Sequence, residues 1–167
     1  LHYGRRYFKV CPEFFIIKVP LTPEGYLAVR KLTQEKIPVN FTLGFSARQN
    51  YLAARLSNPD FVNVFLGRLN QVVIDHNAGS GDQVGEKVTL ATQNALIEAR
   101  EKYKDVQSRL IGASVRSGEQ VAFLAGLDVL TIPPKAIKEF QESGKSADQL
   151  VSHLAEDIVP GIDVSHA

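Results

Sequence analysis

The sequence predicts an α/β fold built on a parallel sheet, and three observations carry that prediction. Short apolar runs alternate with amphipathic segments five times along the chain, an order that yields parallel strands joined by helical crossovers. Within three of the runs one face is apolar and the other polar or small. A sheet covered by helices on both sides would carry more continuous apolar strands, so this pattern points to a barrel with helices outside and a polar lumen. The 167 residues are too few to close a (β/α)8 barrel, which takes about 250. The expected architecture is a single domain over 1–167 holding five βα units of a TIM barrel, curved but open.

Each element has its own signal. Run one is Phe14 to Val19, with Lys18 on the side of Phe14 and Ile16. Its helix opens at Thr22-Pro23-Glu24: an N-cap, a proline in the first helical position and an acid in the first turn. Run two is Val39 to Phe45; Asn40, Thr42 and Gly44 point one way, Phe41, Leu43 and Phe45 the other. A helix from Ser46 follows, with Leu52, Ala53 and Leu56 on one face. Run three is Phe61 to Leu66, where Asn63 and Gly67 oppose Val62, Val64 and Leu66. A Gly/Asp/Asn-rich loop from Asp75 to Gly85 leads to the longest helix, with Val88, Ala91, Ala95 and Ala99 at near-helical spacing. Run four is Arg109 to Val115; Gly112, Ser114 and Arg116 are expected on the lumen side and Ile111, Ala113 and Val115 outside. Ser117 to Gln120 is a capping-box pattern, and Gly126 stands where a helix would end. Run five is Val129 to Ile132, and two further helical segments follow, the second capped by Ser146 with Gln149.

Composition narrows the function. Nineteen basic and 18 acidic residues balance to +1, so no global field favours nucleic acid or a membrane surface. No run approaches the ~18 apolar residues of a membrane span, and no signal peptide opens the chain. A lone cysteine, Cys11, makes no internal disulfide and fits a reducing, cytoplasmic setting. His2, His76, His153 and His166 lack metal-ligand spacing, so no metal is expected. The sequence opens on Leu1 and contains no methionine, which suggests a piece of a longer chain.

Three groups of residues could carry chemistry. Lys18 lies inside an apolar run. Burial there would favour a neutral, nucleophilic amine able to condense with carbonyl substrates; the other reading is a strand-end lysine that snorkels into solvent. Arg68 and Arg116 each follow a strand closely, with Gly67 and Gly112 leaving room for backbone approach. Together with Ser114 and the helix start at Ser117 they could bind phosphate, or they could be rim arginines in ion pairs. Asn40 and Thr42 could hold a water or a substrate hydroxyl, or be satisfied lumen groups.

At this point the residues resemble a known family. Ile17-Lys18-Val19-Pro20 with Thr22-Pro23-Glu24-Gly25 looks like the Schiff-base strand of the transaldolases and the related fructose-6-phosphate aldolases. Asn40-Phe41-Thr42-Leu43 with Phe45-Ser46, Phe65-Leu66-Gly67-Arg68, Gly112 to Arg116 and Leu130-Thr131-Ile132-Pro133 resemble the strands that follow, in order. The resemblance covers about residues 10–140 and implies a class I aldolase barrel of which this chain holds strands four to eight. It implies that Lys18 forms an imine with a ketose phosphate and that Thr42 positions the catalytic water. Asn40, Asn63 and Phe65 would meet the substrate, and Arg68, Ser114 and Arg116 its phosphate. The implied activity is transfer of a dihydroxyacetone unit to an aldose phosphate in the pentose phosphate pathway, without metal or organic cofactor. The alternatives are aldol cleavage without transfer, or a non-catalytic sugar-phosphate-binding remnant. Sugar phosphates are the expected partners, and a homo-oligomer is compatible with the pattern. Asn63 stands where the classical transaldolases carry serine. The family's catalytic Asp and proton-relay Glu belong to strands one and three, which this sequence does not contain.

Overall fold

Five parallel strands stand side by side in the order in which the chain makes them: β1 (Ile17–Pro20), β2 (Val39–Thr42), β3 (Phe61–Phe65), β4 (Arg109–Ala113) and β5 (Val129–Leu130). The computed structural model of the chain describes residues 1–156. A parallel order with no reversal is that of a partial TIM barrel, since right-handed crossovers advancing one strand at a time keep every helix on one side. The helices are α1 (His2–Phe8), α2 (Pro23–Gln34), α3 (Ala47–Ser57), α4 (Leu66–Asp75), α5 (Val84–Lys102), α6 (Gly118–Phe123) and α7 (Pro134–Glu142).

The caps form where the sequence places them. Thr22 Oγ1 accepts from the Gly25 N–H at 3.1 Å, and Ser46 Oγ accepts from the Gln49 N–H at 3.2 Å. Alternation then sorts the strands. Ile17, Val39, Phe41, Val62, Val64 and Leu110 face helix residues Val29, Leu32, Ala53, Ala54, Leu96 and Ala99, all buried. Burying each larger aliphatic or aromatic side chain here contributes roughly 1.5–3 kcal/mol. The register puts Lys18 beside Asn40, and Asn40 beside Phe61, on the opposite face.

Several expectations need correction. In β4 it is Leu110 and Gly112 that face the helices: a Cβ on Gly112 would lie 2.9 Å from Leu130 Cδ2 and 3.5 Å from Thr89 Cγ2 of α5. Ile111 and Ala113 pair with Asn63 and Phe65 and share their lumen face. Both faces of this strand are apolar or small, so alternation alone could not orient it. The room at Gly112 therefore serves helix packing rather than a ligand.

In α3 the buried residues are Asn50, Ala53, Ala54 and Ser57, while Leu52 and Leu56 are exposed. Of the four residues expected to line α5, only Ala99 is buried. Its buried stripe includes Thr89 and Thr92, whose hydroxyls bond back to the carbonyls of Gly85 and Val88. Two helices went unread: α1, and α4, which follows β3 with no intervening loop. Strand five stops at Leu130, and the segment capped by Ser146 is a single 3-10 turn, Ala147–Gln149. Residues 150–156 are not helical, and residues 157–167, His166 among them, lie outside the described residues.

Candidate functional site

The carboxyl ends of β1 to β4 gather the candidate residues on one rim. Lys18 on β1 extends toward Phe65 at the end of β3, with Nζ 5.3 Å from the ring centroid. The Arg68 guanidinium, in the first turn of α4, lies 4.9 Å from the same ring. One aromatic ring is thus shared by both cations, an electrostatically favourable contact for each. Phe45 packs against Phe65 with centroids 6.4 Å apart.

Lys18 itself is exposed, not set in an apolar wall. Phe14 and Ile16 precede the strand and are 80% and 49% exposed, so they do not flank the amine as the sequence pattern suggests. The physical reason is that β1 is an edge strand within this chain, paired on one side alone.

Arg116 and Ser114 meet the first turn of α4 at Gly67. A Cβ on Gly67 would lie 2.5 Å from Arg116 Nε, 2.7 Å from the Ser114 carbonyl and 3.0 Å from Ser114 Oγ. The glycine is what lets these groups lie against the helix backbone. Ser114 adopts a left-handed conformation with φ 65°. That ends the strand alternation and turns the chain toward Arg116, whose side chain is exposed at the rim. Arg68, Ser114 and Arg116 therefore converge around the N-terminal turn of a ten-residue helix, where free backbone N–H groups and the helix dipole favour an anion. The helix at Ser117 adds little: α6 is only six residues long.

Next to the lysine, Asn40 Oδ1 and Thr42 Oγ1 are buried and have no hydrogen-bond partner among the described residues. Buried polar atoms are rarely left so, and each represents unused bonding capacity on the lumen face. Asn63 Oδ1 has a partner. Asn63 is 2% exposed, and its Oδ1 accepts from the Leu43 N–H at 3.3 Å, across from β3 to the residue after Thr42. Leu43 has φ 74°, so Asn63 supports a strained backbone residue directly after Thr42. Sequence reasoning treated Asn63 as a substrate contact; this hydrogen bond was invisible to it, because it depends on strand register.

Sequence reasoning also passed over Glu86, Asn70 and Gln120, which lie behind the rim. Glu86 reads in sequence as an acid in a helix's first turn, yet it is 5% exposed. Among the described residues no group of three or more His, Cys, Asp and Glu is placed to hold a metal ion. No helix among them is long and apolar enough to cross a membrane.

Fold and rim together define a barrel-type α/β protein with a cationic rim built at the carboxyl ends of its strands. The family model described as Transaldolase/Fructose-6-phosphate aldolase matches residues 1–164. A probable transaldolase of Hyphomonas neptunium is 33% identical over 163 residues, covering 96% of this chain and 68% of that protein. Probable transaldolases of Phenylobacterium zucineum (37% identical, 92% and 64% covered) and Parvibaculum lavamentivorans (34% identical, 81% and 56% covered) are similar in the same way. The chain belongs to the transaldolase/fructose-6-phosphate aldolase family. It spans between 56% and 68% of the length of these relatives.

Proposed function

We propose that this chain carries the imine-forming lysine and the phosphate site of a transaldolase. The observation that carries the reading is the shared Phe65 ring, which sets the Lys18 amine and the Arg68 guanidinium on one rim. A ketose phosphate bound by Arg68, Ser114 and Arg116 presents its carbonyl to the Lys18 amine. The amine adds to the carbonyl carbon, and loss of water gives a protonated imine. The bond between C3 and C4 of the sugar then breaks; its electron pair moves into the C=N system, and the C4 hydroxyl proton departs as the aldose phosphate is released. The resulting enamine attacks the aldehyde carbon of an acceptor aldose phosphate, and water hydrolyses the new imine to free the lysine. Thr42, with its hydroxyl unpartnered among the described residues, is suited to hold that water, and Asn40 to bond a substrate hydroxyl. The cation of the imine is the electron sink for the pair released from the broken bond.

Borohydride trapping tests this. Incubation with fructose 6-phosphate and reductant is expected to add one sugar-derived adduct at Lys18, located by peptide mass mapping. Lys18→Arg is expected to abolish the adduct and leave the circular dichroism spectrum unchanged, because Arg keeps the charge and stem but does not deprotonate. An adduct at Lys31 or Lys135, or an adduct surviving in the variant, refutes the assignment. Adding an aldose phosphate acceptor separates the two reactions of the family: transfer consumes it, cleavage alone does not. The chain by itself is expected to trap substrate but turn over little, since the acid and base that the family resemblance implies are not in this sequence.

A further inference from the structure

Behind the rim a single carboxylate orients two amides, and each amide holds one backbone N–H beside the anion site. Glu86 Oε1 accepts from Gln120 Nε2 at 2.6 Å, and its Oε2 accepts from Asn70 Nδ2 at 2.9 Å. With its NH2 turned to Glu86, the Gln120 amide presents its oxygen the other way, where it accepts from the Arg116 N–H at 2.7 Å. Asn70 behaves alike: its oxygen accepts from the Gly85 N–H at 2.6 Å. The capping-box pattern would send the Gln120 side chain back to the Ser117 N–H. The structure instead diverts it to Arg116, while Ser117 Oγ still accepts from the Gln120 N–H at 3.3 Å.

The two backbone groups held in this way flank the candidate phosphate site. Arg116 supplies one of its guanidiniums. Gly85 lies directly against the start of α4: a Cβ there would be 2.1 Å from the Leu66 carbonyl oxygen. Leu66 and Gly67 lead into Arg68 within that same first turn. Among side chains of this size, only a carboxylate accepts at both ends. The geometry points to Glu86 as a positioning residue that fixes the Arg116 loop and the α4 N-terminal turn relative to each other, and so sets affinity for the phosphate of the substrate. This rests on the phosphate reading proposed above.

The test follows from the donor and acceptor count. Glu86→Gln has the same shape but offers one acceptor and one donor, so one of the two amides must flip or lose its bond. A flip turns an NH2 against the Arg116 N–H or the Gly85 N–H. The double variant Glu86→Gln with Gln120→Glu restores every bond: Gln at 86 donates to Glu at 120 and accepts from Asn70, and Glu at 120 still accepts from Arg116. Calorimetric titration with inorganic phosphate and with fructose 6-phosphate is expected to show about a fivefold to tenfold loss in Glu86→Gln, the size of one or two net hydrogen bonds. The double variant is expected to recover it. Borohydride trapping of unphosphorylated dihydroxyacetone on Lys18 is expected to be the same in all three proteins, which a general loss of structure would not allow. Should Glu86→Gln fail to fold, Gln120→Met releases the same Arg116 N–H and is expected to give the same loss. Unchanged phosphate affinity in these single variants, or no recovery in a folded double variant, overturns the positioning role while wild-type binding stands. Absence of phosphate binding in the wild type overturns the phosphate site and this role with it.

Discussion

Gly67→Ala puts one methyl group into the contact on which the rim depends. The new Cβ would lie 2.5 Å from Arg116 Nε and 2.7 Å from the Ser114 carbonyl oxygen. Real Cβ contacts stay above about 3.0 Å, so the Arg116 side chain and the left-handed Ser114 backbone must both retreat by several tenths of an ångström. Two effects oppose each other. Alanine in a helix gains roughly 0.5–1 kcal/mol over glycine, whereas forcing a methyl into a filled space costs about 1–3 kcal/mol. Overpacking wins, because one of the atoms to be moved is backbone already held at φ 65°. The net loss is about 1 kcal/mol, a fall of roughly 2–4 °C in Tm for a chain of this size. The effect on binding is larger. Each charge-assisted arginine contact contributes about 1.5–3 kcal/mol, so displacing Arg116 should weaken phosphate binding by about tenfold or more. Thermal unfolding by circular dichroism and titration with fructose 6-phosphate measure the two quantities. A Gly67→Ala protein with a raised Tm and unchanged phosphate affinity would refute the close approach of Arg116 and Ser114 to α4.

Arg116→Ala should reproduce the binding loss directly, with a rise of about tenfold or more in the apparent dissociation constant for phosphorylated sugars, and with borohydride trapping of dihydroxyacetone retained. Equal losses for phosphorylated and unphosphorylated ligands would count against a phosphate role. Asp128 offers a pH-dependent test remote from the rim. Burial pushes its carboxyl up, but two bonds from the Arg100 guanidinium and one from the Leu110 N–H outweigh this and hold it below the usual carboxylate range. The stability it contributes is therefore present above an ordinary aspartate value of about 3.9 and is lost as pH falls through the depressed value. Asp128→Asn is expected to lower Tm at pH 7 and to converge with the wild type in acid below that window. A Tm difference that persists unchanged at low pH would show that Asp128 acts through packing instead.

The local signals in this sequence were largely legible. Thr22, Ser46 and Ser117 cap helices where the pattern of hydroxyl and spacing places them, and the five apolar runs became five strands in order. The exceptions are instructive. α4 has no clear start in the sequence because β3 passes into it at Leu66 with no loop or proline between them, and Gly67 continues the strand alternation on paper. Helical spacing puts Leu52, Ala53 and Leu56 on one face of α3, yet Leu52 and Leu56 are exposed. The buried positions include the small ones, Ala53, Ala54 and Ser57, the last with its hydroxyl donating to the Tyr26 carbonyl of α2.

What the sequence by itself determined was whatever depends on neighbours a few residues apart: strand and helix periods, N-caps, the placement of Arg68 and Arg116 just beyond strand ends, and the family motifs around Lys18 and Thr42. Only the tertiary structure decided which face of β4 meets the helices, because Leu110, Ile111 and Ala113 are apolar on both sides and the choice falls to register against β3. It alone brought Gly67 against Ser114 and Arg116, placed Phe65 within reach of both Lys18 and Arg68, and bonded Asn63 to the Leu43 backbone. It also made Glu86 a hub for two amides rather than a solvated acid at a helix start. These contacts join residues far apart in the chain, and their partners are selected by sheet register and helix packing, quantities that no short stretch of sequence encodes.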